Sequence, residues 1–161
     1  MNRQKTIQYI GSNCFLFFIP VILLNILFVK YLPNCYLENI SHIIVHIENI
    51  LRIVLIALST IMIIDIKDRF GKIGFLIYTI GVVVYFISYF ILINYSDTAV
   101  VRKNMILQLS GHWSAIIWLI GIGLIGKRFF INIPYHYALY IILSIVFGII
   151  HTYHGYILLA R

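Results

Sequence analysis

Apolar residues fall along this chain in five long runs separated by short polar or charged links. Run 1 extends from Ile7 to Val29, run 2 from Ile40 to Ile64, run 3 from Ile73 to Ile93, run 4 from Ile106 to Ile125 and run 5 from Tyr137 to Leu159. The runs are continuous rather than alternating every second residue, which argues against barrel strands. Each has about the 20 residues that a helix needs to cross a bilayer. The pattern predicts an all-α fold, a polytopic transmembrane helix bundle of five spans over about 7–29, 40–64, 73–93, 106–125 and 137–159. No hydrophilic linker or repeat interrupts the runs, so residues 1–161 are expected to form a single integral membrane domain with no soluble domain. Arg3 and Lys5 precede run 1 as in a signal peptide. No A-x-A site follows and the apolar stretch is too long, so run 1 is expected to be a retained helix kinked at Pro20.

Composition agrees with that pattern. Hydrophobic residues make up 62% and charged residues 11% of the chain, against about 25% charged in soluble domains. Too few charges remain to coat a domain in water. The net charge of +7 comes from Lys and Arg scattered at the ends of the runs. It fits lipid headgroups and not a nucleic-acid stripe. Cys14 and Cys35 lack CxxC spacing, and Cys35, in Leu32-Pro33-Asn34-Cys35, reads as a loop thiol.

Charge also orients the bundle. Arg3, Lys5, Lys67, Arg69, Lys72, Lys127 and Arg128 fall on one side, against Lys30, Arg102, Lys103 and Arg161 on the other. The positive-inside rule then predicts a cell-membrane protein with its N-terminus cytoplasmic and its C-terminus outside. The glycosylation sequons at Asn39 and Asn94 both fall on the outer side; such tripeptides arise often by chance.

Two stripes of small and aromatic residues mark helix contacts. Gly74, Tyr78, Gly81, Tyr85 and Ser88 share one face of run 3. Tyr137, Tyr140, Ser144, Gly148, His151 and Gly155 share one face of run 5. Helices in lipid associate through close backbone approach and interhelical hydrogen bonds, which such stripes permit. Gly121 to Gly126 spells GxGxxG but follows no strand, so it too reads as packing and not as a dinucleotide loop.

The chemistry lies in the polar residues inside the runs. His42, His46, Glu48, Asn49 and Arg52 occupy an arc of roughly 160° on run 2 at about 100° per residue, and this arc is expected to face inward. Ile43, Ile47, Leu51 and Val54 lie opposite. Glu48 and Arg52 stand four apart in the favourable acid-before-base order for an ion pair. Alternating helix directions bring His112 of run 4, and His151 and His154 of run 5, to the same outer half as His42 and His46. His136 falls at the opposite face.

Ionisable groups inside a membrane are functional candidates, since each costs about 2.5–3.5 kcal/mol at the centre of a helix. The main expectation is a pocket of His42, His46, Glu48, Asn49, Arg52, His112, His151 and His154 that binds or passes a cation, proton or other small ligand. A second reading ligates a transition metal through His42, His46, His151 and His154, or holds a b-type haem between His42 or His46 and His151 or His154. A metal-dependent membrane enzyme belongs with it. Against a compact His46–Glu48 unit, those two residues point about 160° apart. A third reading is an accessory or assembly subunit whose polar faces meet a partner membrane protein or a second copy. No nucleophile elbow, phosphate loop or paired aspartates support a Ser-hydrolase or ATP-driven activity.

Overall fold

A computed structural model of the chain describes residues 12–31, 42–130, 134 and 136–159. The beginning of run 1, the Cys35 loop, the Asn39 sequon and the two residues of run 2 before His42 lie outside the described residues. A 3₁₀ turn (Cys14–Phe17) leads into α1 (Phe18–Phe28), followed by a second 3₁₀ turn (Val29–Tyr31). Then come α2 (His42–Ile61), β1 (Met62–Ile63), α3 (Arg69–Tyr95), α4 (Ala99–Lys103) and α5 (Met105–Gln108). The last elements are α6 (Ser110–Ile125), β2 (Arg128–Phe129) and α7 (Tyr137–Leu159).

The fold is all-α apart from the two short strands. Among the described residues, three helices are long and apolar enough to cross a membrane: α2, α3 and α7. The apolar segments Cys14–Phe28 and Ser110–Ile125 are shorter. Run 4 is therefore not one helix from Ile106. Asn104 caps α5 by accepting from the backbone N–H groups of Ile106 and Leu107, and α6 begins only at Ser110. The Trp113 indole N–H donates back to the Ile106 carbonyl at 3.1 Å, holding the short helix against the long one. Pro20 sits in the first turn of α1, after the 3₁₀ turn, where its missing N–H costs least.

α6 is the centre of the bundle. It packs between α3 and α7, α2 packs on α7, and α1 lies against α3. The α3–α6 contact is backbone to backbone. A Cβ on Gly81 would lie 2.5 Å from the Trp118 nitrogen, and one on Gly121 would lie 2.5 Å from the Tyr78 nitrogen. No larger residue fits either place. The run 3 stripe is buried as the spacing implies, from Gly74 through Tyr78, Gly81 and Tyr85 to Ser88. Gly121, Gly123 and Gly126 are packing positions, against Tyr78, Ile141 and Met62 respectively.

One end of the bundle is tied by backbone pairing that the apolar pattern does not announce. β1 and β2 pair antiparallel, Met62 with Phe129 and Ile63 with Arg128. Asn13 bridges to Ile63 on the other side. Helix ends leave backbone groups without partners, and this small ribbon satisfies several of them at once. Two ion pairs flank it. Arg128 meets Asp65 at 2.9 Å, and Lys127 pairs with Asp68. Asp68 also caps α3 by accepting from the Gly71 N–H at 2.8 Å.

The Lys127 ammonium, with help from the Gly71 N–H, holds the Asp68 carboxyl below its ordinary value of 3.8. The folded chain thus favours the ionised form. Its contribution to stability is complete above the ordinary value and is lost as the pH falls through the lower folded value. In detergent melts, Asp68→Asn, which keeps the cap but not the charge, is expected to melt below the parent at neutral pH. The gap narrows as the pH drops below 3.8 and closes below the lower folded value. An unchanged gap in acid would show that the charge plays no part in the clamp.

A candidate proton-holding site between α2 and α7

α2 turns a narrow stripe toward its neighbours, with Glu48, Leu55 and Ser59 buried in succession. A carboxylate on such a stripe must find partners, because an unpaired charge in an apolar interior is very costly. Glu48 is 3% exposed and has three. Arg52, one turn further along α2, pairs with Oε1. From α7, the His151 Nδ1 lies 3.1 Å from Oε1 and the His154 Nδ1 lies 2.6 Å from Oε2. The two histidines are three residues apart, so both project from one face of α7 onto a single carboxylate. An ionised carboxylate only accepts, so each imidazole donates its Nδ1–H and keeps Nε2 as the acceptor nitrogen.

The third imidazole comes from the start of α6. The His112 and His151 rings are 4.6 Å apart between centroids and tilted by 39°. His112 rests on α7 at Gly155, where a Cβ would lie 2.6 Å from its Nε2. Phe147 stacks on His151 at 5.3 Å and 13°. The structure thus gathers Glu48, Arg52, His112, His151 and His154 in one place.

Of the remaining expected members, His46 stands apart and Asn49 joins only at the exposed edge, so the inward arc of α2 is narrower than the 160° expectation. His46 is exposed. Asn49 is exposed as well, accepting from the Arg52 Nη1 at 3.0 Å. The Arg52 side chain is 46% exposed at the edge of the stripe. His42 opens α2, and its side chain lies outside the described residues. The physical reason is the packing of α2 mainly against one long helix, α7, which shelters one side chain per turn and not half a helix. Leu51, expected on the lipid side, packs against the core.

Beside the cluster is a cavity of about 340 Å³ reached by α1, α2, α3, α6 and α7. Arg52 and His151 form part of its wall, with Asn25, Tyr85 and Trp118. The Asn25 Oδ1 accepts from the Tyr85 hydroxyl at 2.9 Å and from the Tyr89 hydroxyl. Its amide donates to the Val21 carbonyl at 2.8 Å. The Trp118 indole N–H is buried with no hydrogen-bond partner among the described residues. Of these wall residues, Tyr85 lies on the run 3 packing stripe, whereas Asn25 and Trp118 belong to no pattern in the sequence. Asn25 carried the available signal, an amide in the otherwise apolar stretch from Cys14 to Val29.

The donor set does not suit a metal ion. Among the described residues, no group of three or more His, Cys, Asp and Glu side chains converges to hold one. Both Glu48 oxygens and the Nδ1 atoms of His151 and His154 are engaged with one another. Of the expected haem pairs, those that use His46 are not assembled, since His46 is exposed while His151 and His154 face Glu48; those that use His42 involve a side chain outside the described residues. No protein-family model matches the chain, and neither a curated protein nor a solved structure shows significant similarity to it.

Glu48 is the shared partner, so the single replacements should differ. Removing one member of a buried ion pair typically costs about 3–5 kcal/mol, and Glu48→Gln is expected to fall in that range. Arg52→Met should cost less, because Arg52 is half exposed and Glu48 keeps two imidazole donors. The double replacement should destabilise by less than the sum of the two. Strict additivity in detergent unfolding would mean that the groups are not coupled.

Proposed function

We propose that this chain is a five-span protein of the cell membrane, N-terminus cytoplasmic, C-terminus outside, whose Glu48 cluster holds a proton within the outer half of the bilayer and exchanges it with a small ligand in the adjoining cavity. The observation that carries this reading is the binding of two imidazoles to the two oxygens of one buried carboxylate. Such a carboxylate orients each ring and balances the charge of either one when it takes up a proton at Nε2. A metal cation is disfavoured at the same place, since no Glu48 oxygen is left uncommitted and Arg52 already neutralises it. The spans α1, α2, α3, α6 and α7 alternate in direction, which supports counting the two shorter apolar helices as crossings.

A second reading, assembly with a partner membrane helix, is favoured by one specific observation. His46 and Asn49 are exposed on α2, inside an apolar span. A helix that covered them would spare two polar side chains from lipid.

The proton-holding reading has a spectroscopic signature. In ¹⁵N-histidine spectra of the protein in nanodiscs, His151 and His154 are expected as the Nδ1–H tautomer, the form that donates to Glu48. Glu48→Gln should release at least one of them to the Nε2–H form. His151 and His154 both already in the Nε2–H form in the parent protein would contradict the reading.

A further inference from the structure

We propose that the cavity beside Glu48 captures a membrane-soluble weak acid, an amphiphile with a carboxylic acid head, and does so without a net change of charge. This rests on the reading of His151 as a proton acceptor and names the ligand class that such a site suits.

The wall of the cavity has hydrogen-bond donors to spare. Arg52 directs two of its five N–H groups to Asn49 and Glu48. The Trp118 indole N–H, on a residue only 6% exposed, has no partner among the described residues. Of the acceptors, the Asn25 carbonyl oxygen already serves both Tyr85 and Tyr89, which leaves the His151 Nε2 to take a proton. Such a wall calls for a ligand that accepts, and its guanidinium selects an anion over a neutral acceptor. The rest of the lining is apolar, including Phe18, Val21 and Leu55, and suits a hydrocarbon chain. The cavity reaches the surface at Arg52, whose side chain is 46% exposed. There α1 and α2 stand apart, their segments meeting at the Cys14–Phe17 turn instead. In the five-span reading that opening lies at bilayer depth, so the ligand arrives protonated and uncharged from the bilayer.

The proton then has a defined destination. The O–H bond of the acid breaks, its proton passes to the Nε2 of His151, and the carboxylate settles on Arg52 and Trp118. Before capture, Glu48 and Arg52 neutralise one another. Afterwards the ligand carboxylate neutralises Arg52, and Glu48 neutralises the His151 imidazolium. The ionisable groups around His151 are Glu48 and Arg52 from α2, Tyr85 from α3, His112 from α6 and His154 from α7. Glu48 is the lone anion among them, so the site balances one added proton.

The test uses the full chain in zwitterionic nanodiscs, labelled with ¹⁵N at histidine and tryptophan and titrated with decanoic acid. Decanol and decyltrimethylammonium serve as controls. The chain has two tryptophans, and Trp113→Phe identifies the Trp118 signal. Decanoic acid is expected to shift the Trp118 N–H saturably while one histidine, absent in His151→Gln, becomes doubly protonated. The controls should produce no saturable shift. Arg52→Gln should weaken the acid by about tenfold or more, as expected for loss of a charged hydrogen-bond partner. Should that variant fail to fold, Ala115→Phe, which fills the cavity from α6, is expected to abolish binding with the Glu48 cluster intact.

Equal responses to acid, alcohol and ammonium would overturn the proposal, as would binding that survives Ala115→Phe. Saturable binding without histidine protonation would overturn electroneutral capture yet leave the Nδ1–H tautomers, and so the proton-holding reading, standing. Absence of those tautomers before any acid is added would instead refute that underlying reading.

Discussion

A carboxylate 3% exposed inside an apolar bundle sets the terms for its surroundings. In a low-dielectric interior Glu48 cannot remain charged without partners. The partners come from two directions: a guanidinium one turn away on α2, and two imidazoles from α7. The register of α2 on α7 follows from that requirement, because sliding either helix by one turn would carry the imidazoles past the carboxylate. The same bonds select the ring nitrogen that each histidine keeps for other chemistry. They also leave Arg52 at the edge of the adjoining cavity with donors to spare.

The cavity has a packing origin. α3, α6 and α7 approach closely because glycines on each admit a neighbour's atoms where a Cβ would clash, as Gly81 and Gly121 do between α3 and α6. α1 and α2 contain no glycine at all. Their Ile, Leu and Phe side chains hold them away from the α3–α6–α7 unit, and the space left over is lined from both sides. Interiors close-packed with small residues and a gap flanked by bulky ones are thus two results of the same rule. At the bundle end holding β1 and β2, the ribbon and its ion pairs draw the segment before α1, the end of α2 and the end of α6 together.

Much of the helical layout could be read from the sequence because continuous apolar runs have one stable form in hydrocarbon. Run 5 coincides with α7 from Tyr137 to Leu159, and the buried face of α3 is the Gly/Tyr/Ser stripe of run 3. The Glu48–Arg52 pair was legible because it is local, one turn of one helix. The ribbon was not, since its strands are two residues each and pair only when the ends of α2 and α6 have already met. The exposure of His46 was hidden for a related reason. An angular arc on a helix says which residues share a side, but the width of the neighbour decides how many are covered. Asn25, Tyr85 and Trp118 meet across three helices, and no spacing within a run encodes that meeting.

The central claim, that one carboxylate holds two imidazoles of α7, can be measured as a distance. Dipolar recoupling between ¹³Cδ-glutamate and ¹⁵Nδ1-histidine in membranes reports it directly, with Glu48→Gln identifying the carboxyl signal. The account predicts that two histidine Nδ1 signals recouple strongly to the Glu48 carboxyl carbon, at distances consistent with direct hydrogen bonds of 3.1 Å and 2.6 Å to its oxygens. Recoupling to a single histidine, or to none, would contradict it.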